Sequence, residues 1–128
     1  MRAQRVVLAA IERDLKAAGL PPLGWYDVLL ELHRATTGRL RAFEIEDRTL
    51  LAQYNLSRLI DRLEAANFVR REPVGDDGRG RWVAITEQGK DIQARIWVVY
   101  KASLQNHIGQ KLDDAQATTL ADLLEKLI

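Results

Sequence analysis

The chain has 128 residues, 47% of them apolar and 29% charged, the size and balance of one folded domain, which excludes wholesale disorder. Its 19 basic and 18 acidic side chains nearly cancel, so total charge names no partner. It contains no cysteine, which excludes a thiol redox sensor, a disulfide scaffold and any zinc site with Cys ligands.

The first segment repeats Val7, Leu8, Ile11, Leu15 and Ala18 at helical spacing, and Gly19 with Pro21-Pro22 ends it. The longest apolar run, Val6 to Ile11, lies inside that helix. A membrane span needs roughly 18 residues, and a signal peptide needs a small-residue cleavage site, so a cytoplasmic protein without membrane association is expected. A second helix starts near Pro22, with Trp25, Val28, Leu29 and Leu32 as its apolar face, and Thr36-Thr37-Gly38 stops it. A short third helix is expected over Arg41 to Arg48, with Phe43 and Ile45 buried. The fourth runs from Leu50 to Ala66, with Thr49 as its N-cap and Leu51, Leu56, Leu59, Ile60 and Leu63 inward. Phe68 to Val74 and Arg81 to Ile85 read as strands around Gly75-Asp76-Asp77-Gly78, a hairpin signal.

Thr86 is an N-cap for a long fifth helix that reaches about Ile108 and stops at Gly109. Ile92, Ile96 and Val99 mark one apolar face of it, and Trp97, Tyr100, Leu104 and Ile108 a second. Asp113 with Gln116 opens a sixth helix whose stripe is Leu120, Leu123, Leu124, Leu127 and Ile128. The fold class is therefore mostly α with a small β-wing: a helix-turn-helix followed by a two-stranded wing, framed by helices. We read one domain over 1–128, with a winged helix-turn-helix part at about 24–86 and a helical part at 1–20 and 87–128. The framing helices carry more apolar surface than one small domain hides. That predicts a symmetric dimer through Leu8, Ile11, Leu104, Leu120, Leu124 and Leu127; the alternative is that these helices pack within one monomeric bundle.

The chemistry concentrates in the middle. Residues 34–81 hold 10 basic and 8 acidic side chains, and all ten cations are arginine, while every lysine lies outside. Arginine's planar fork suits phosphate oxygens and guanine edges, although codon bias would produce the same count. With Leu56, Leu59, Ile60 and Leu63 turned inward, Gln53, Tyr54, Asn55, Ser57 and Arg58 project from the N-terminal half of the fourth helix. Asn and Gln pair bidentately with adenine, Arg with guanine, and Tyr or Ser hydroxyls with phosphate; the alternative is an ordinary solvated face. A recognition helix presents that same half to the major groove. Arg79 and Arg81 flank a glycine-rich hairpin tip that suits minor-groove entry. Asp77 either holds one of these arginines or serves the turn. Arg70 and Arg71 are strand neighbours, so only one of them is expected to face DNA.

These residues carry a resemblance. Ser57-Arg58-Leu59-Ile60-Asp61-Arg62-Leu63-Glu64, Phe68-Val69-Arg70-Arg71, Asp77-Gly78-Arg79 and Ile85-Thr86-Glu87-Gln88-Gly89 together resemble the MarR family of winged-helix transcription regulators. Two departures stand out. Asn67 replaces the usual Gly between recognition helix and wing, and the first helix begins almost at Met1. Lack of Cys excludes the thiol-peroxide-sensing branch. The resemblance implies a homodimer on double-stranded DNA with a pseudo-palindromic operator, and a ligand-responsive repressor. Many members release DNA to a small aromatic effector, and Trp25, Tyr26, His33, Trp97 and Tyr100 would border that pocket. The alternative function is a winged-helix protein-interaction module that does not bind DNA. No cofactor, metal or catalysis is expected: His33 and His107 are the only histidines, with no Ser-His-Asp or H-x-x-x-H spacing around them.

Overall fold

The computed structural model describes residues 2–49, 53–75 and 80–108, together with Ala115, Gln116, Thr119 and Asp122. In chain order the elements are α1 (Arg2–Ala17), α2 (Leu23–Arg34), β1 (Arg39–Arg41), α3 (Ala42–Arg48), α4 (Gln53–Ala65), β2 (Val69–Pro73), β3 (Arg81–Ile85) and α5 (Glu87–Ile108). They fall into two compact units, residues 1–23 with 94–128, and residues 24–93.

In the first unit, α1 buries Ala10, Ile11 and Leu15, and α5 buries Ile96, Tyr100 and Leu104. These α5 residues recur every four positions, so they form one row along the helix. The two-face expectation for α5 is corrected accordingly: Tyr100 and Leu104 share the row of Ile96. Trp97 and Val99 are half-buried, and Val98 is 67% exposed. Ile11 and Leu104, expected on a self-association seam, are already buried in this chain, whereas Leu8 is 42% exposed. Leu120, Leu124 and Leu127 lie outside the described residues, as does Asp113. The helical positions Ala115 and Thr119 are tied by the Thr119 hydroxyl, which donates to the Ala115 carbonyl at 2.9 Å.

One polar tie joins α1 to α5. The Ser103 hydroxyl, buried, donates to Asp14 Oδ2 at 2.6 Å, and His107 Nε2 lies 3.4 Å from the same oxygen. The Ser103 hydrogen bond, against some desolvation and with help from His107, holds the Asp14 carboxyl below its ordinary value. The carboxylate sits between hydroxyl and imidazole, so the serine bonds to the acid and not to the histidine, an order different from that of a Ser-His-Asp triad. α1 ends in a Schellman turn: Gly19 has φ 72°, and the Leu20 N–H donates to the Leu15 carbonyl at 2.9 Å.

The second unit is built on an antiparallel sheet of order β1-β3-β2. Leu40 stands opposite Val83, and Val69 opposite Ile85, so these four share the face turned to the core. Tyr26, Val28, Leu29 and Leu32 of α2, Ile45 of α3 and the inward row of α4 complete that core. β1 was not expected, since three residues are too few for an alternating pattern to show. Phe43 is also corrected: it is 60% exposed while Ile45 is buried. Two residues apart on a helix point about 200° apart, so one face holds only one of them. Thr49 closes α3: both its N–H and its hydroxyl donate to the Ile45 carbonyl, at 3.0 and 2.9 Å.

Thr86 is the N-cap of α5, its hydroxyl accepting from the Gly89 N–H at 3.0 Å. That hydroxyl in turn donates to the Asn67 carbonyl at 2.6 Å. Asn67 has φ 64° and closes α4 in a second Schellman turn, with the Phe68 N–H on the Leu63 carbonyl at 2.9 Å. Asparagine is the residue after glycine that best tolerates this conformation, which explains the departure at that position. By contrast, Gly24 lies in helical backbone of α2, and a Cβ there would meet only Leu59 Cδ2 at 3.8 Å. Gly24→Ala is expected to stabilise the protein by about 0.4–1 kcal/mol, read as a raised Tm, because it narrows the unfolded ensemble without a clash.

Candidate nucleic-acid interface

α4 carries Leu56, Leu59, Ile60 and Leu63 into the core. Asn55, Ser57 and Arg58 are exposed on the opposite side of its N-terminal half, with Asp61 and Arg62 exposed one turn later. The apolar row fixes the rotation of the helix, and so decides which side chains face outward. Gln53 is the first helical residue; the side chains of Gln53 and Tyr54 lie outside the described residues. Arg81 is exposed at the start of β3, while Arg79 and Asp77 lie outside the described residues.

The hairpin is braced to α4 by ion pairs. Arg71 of β2 donates from Nη1 to Glu64 Oε1 at 2.7 Å and from Nη2 to Asp61 Oδ1 at 2.6 Å. Its backbone N–H donates to Glu64 Oε2 at 3.2 Å. The guanidinium fork meets two carboxylates one helical turn apart, a geometry lysine does not match. Arg70, its strand neighbour, points to the other face and is exposed. Of the expected pair, then, Arg71 is committed within the chain and Arg70 is the outward one.

Removing this brace is measurable. Arg71→Ala is expected to cost about 1–2 kcal/mol in urea unfolding, discounted because Asp61 and Glu64 are partly solvated. Arg71→Lys should recover less than half of the loss. The brace was missed in the sequence reading, although its signal is present: two acids on the outer side of a helix, with an arginine on the strand that follows.

The outer face of the sheet holds a second set of pairs. Glu72 accepts from Arg70 Nε at 2.8 Å and from Arg39 Nη1 at 3.2 Å. The Arg70 bond, against desolvation and with help from Arg39, holds the Glu72 carboxyl below its ordinary range. Arg39 also stacks over Trp82, 4.7 Å from the ring centre. Glu31, buried in α2, is pushed the other way: burial raises its carboxyl, with Arg34 and Arg48 pulling it back. A cleft of about 290 Å³ takes in Arg34, Arg39, Arg48 and Trp82, and another of about 560 Å³ takes in Arg39, Arg70 and Lys90.

Neither cleft includes the five expected effector residues. In the second unit Tyr26 is buried, His33 is exposed and Trp25 packs edge-on to Phe68, 6.0 Å between ring centres. In the first unit the rings of Trp97 and Tyr100 pair at 5.6 Å. Among the described residues no group of His, Asp and Glu is placed to hold a metal, and no helix is long and apolar enough to cross a membrane.

The family model described as MarR family matches residues 18–80. AbsC, a MarR family transcriptional regulator from Streptomyces coelicolor, is 28% identical, with a TM-score of 0.76 over 98% of this chain and 84% of that one. Sco3205, a MarR family regulator from the same organism solved in complex with DNA, is 23% identical, with a TM-score of 0.79 over 98% and 79%. A mutant MarR from E. coli complexed with operator DNA is 21% identical, with a TM-score of 0.75 over 99% and 89%. No curated protein matches by sequence.

Proposed function

We propose, from the premise that this chain belongs to the MarR family, that it is a homodimeric, sequence-specific DNA-binding regulator and not an enzyme. The observation that carries the reading is the outward face of α4. Asn55, Ser57 and Arg58 stand exposed on a helix whose rotation is fixed by four buried residues, next to a braced hairpin. Gln53 and Tyr54 join them in contacting DNA, Arg58 reads guanine, and Arg79 and Arg81 enter the minor groove. Two similar folds were solved with DNA, which favours this reading over a protein-interaction module. The domain division follows: 24–86 as the winged helix-turn-helix, 1–20 and 87–128 as the dimerising helices. Exposed Leu8, with Leu120, Leu124 and Leu127, supplies the seam. The protein acts in the cytoplasm as a repressor of a pseudo-palindromic operator and releases it to a small aromatic effector.

Selection of bound fragments from a random duplex pool tests the reading. The expected product is a two-fold symmetric consensus with half-sites about ten base pairs apart. Asn55→Ala should then relax preference at one base pair per half-site, by about 1–3 kcal/mol. A pool that stays random at low salt would overturn the proposal.

A further inference from the structure

The hairpin of β2 and β3 runs on beyond the strand that supports it. β1 ends at Arg41, opposite Trp82, and the chain then turns into α3. No β1 backbone is left to flank Gly80 and Arg81. The Arg41 side chain takes that place. A Cβ built on Gly80 would lie 3.0 Å from Arg41 Cζ and closer still to Nη2, so the guanidinium occupies the space where a side chain would stand. The same guanidinium lies 5.9 Å from the centre of the Trp82 ring and 5.8 Å from that of Phe43. This contact gives exposed Phe43 a use. Meanwhile the Arg41 backbone N–H donates to Glu44 Oε1 at 2.9 Å, at the start of α3.

One residue thus ends the edge strand, opens the first helix of the helix-turn-helix and rests on the root of the wing. We propose that Arg41 is a positioning residue for the wing: it sets the direction in which the hairpin leaves β3 and ties that direction to α3. Wing and recognition helix then reach DNA in one register. A planar cation fills the gap between Gly80, Trp82 and Phe43; an ammonium carries the charge without the plane. The consequence for DNA rests on the function proposed above, whereas the clamp belongs to the free protein.

Two readouts separate these. In the free protein, Arg41→Lys is expected to speed amide exchange over Gly80–Trp82 about tenfold, with exchange in α5 unchanged. On a duplex recovered by selection, the variant is expected to keep hydroxyl-radical protection of the half-sites and lose that of the flanks. Affinity should fall about tenfold, the worth of one or two groove contacts. Gly80→Ala, which displaces the guanidinium and also strains a backbone at φ 72°, should reproduce the pattern wherever it folds. Unchanged exchange in Arg41→Lys would overturn the clamp. Faster exchange with intact flank protection would overturn its role on DNA. Full affinity in Arg41→Lys, lost in Arg41→Ala, would show direct charge contact instead and would also overturn it. Faster exchange where the wild-type protein gives no footprint would leave the clamp standing and sink the DNA-binding function.

Discussion

Gly89→Ala is expected to be the most damaging single-methyl change in the winged unit, costing about 3 kcal/mol or more and lowering Tm by roughly 10 °C in a thermal melt. The cause is position rather than flexibility, since Gly89 is ordinary helical backbone. A Cβ there would run into the Phe68 carbonyl oxygen, with Phe68 C at 3.0 Å and Ile85 Cγ1 at 2.8 Å. Neither obstacle moves freely. The Phe68 carbonyl accepts the Thr86 N–H at 3.0 Å, and the Thr86 hydroxyl is bonded to the Asn67 carbonyl. The first turn of α5 is thereby pressed against the turn that closes α4. Gly24→Ala is the matched control, being helical and unobstructed; equal tolerance at both positions would refute the close-approach argument.

DNA affinity is expected to fall about 10³-fold between roughly 50 and 200 mM salt, if a dimer neutralises about six phosphates. The number comes from the arginines. Arg71 is committed to Asp61 and Glu64, and Arg39 and Arg70 share Glu72. Arg58, Arg62 and Arg81 are exposed on α4 and at the wing root. Three per copy, in two copies, give that slope as a minimum, to which Arg79 at the hairpin tip adds. Binding titrations at several salt concentrations measure it directly. A flat response would favour the protein-interaction alternative.

Much of this arrangement was legible in the sequence, for a physical reason. α4 shows a full apolar period at Leu56, Leu59, Ile60 and Leu63, and burial of that row fixes the outward residues. Thr86 and Asn67 were readable because caps and left-handed turns use few residue types. What escaped was short or tertiary. β1 is three residues long and carries no period of its own. Phe43 and Ile45 are both apolar, and only the tertiary packing of α3 decides which of the two turns inward. The brace of Arg71 joins residues on different elements, and charge spacing alone does not say which acid meets which base. In α5, strong hydrophobicity on adjacent positions blurred which row turns inward.

The Glu64–Arg71 bond has a further effect at the margin of the sheet. β2 is an outermost strand, and such margins ordinarily offer unpaired amides to any extended chain that drifts past. Here the Arg71 amide is occupied by a carboxylate and Pro73 has no amide to offer. The strand therefore makes a poor template for fibril growth or for the addition of a foreign peptide, and the carboxylate that braces the hairpin also closes this edge of the sheet.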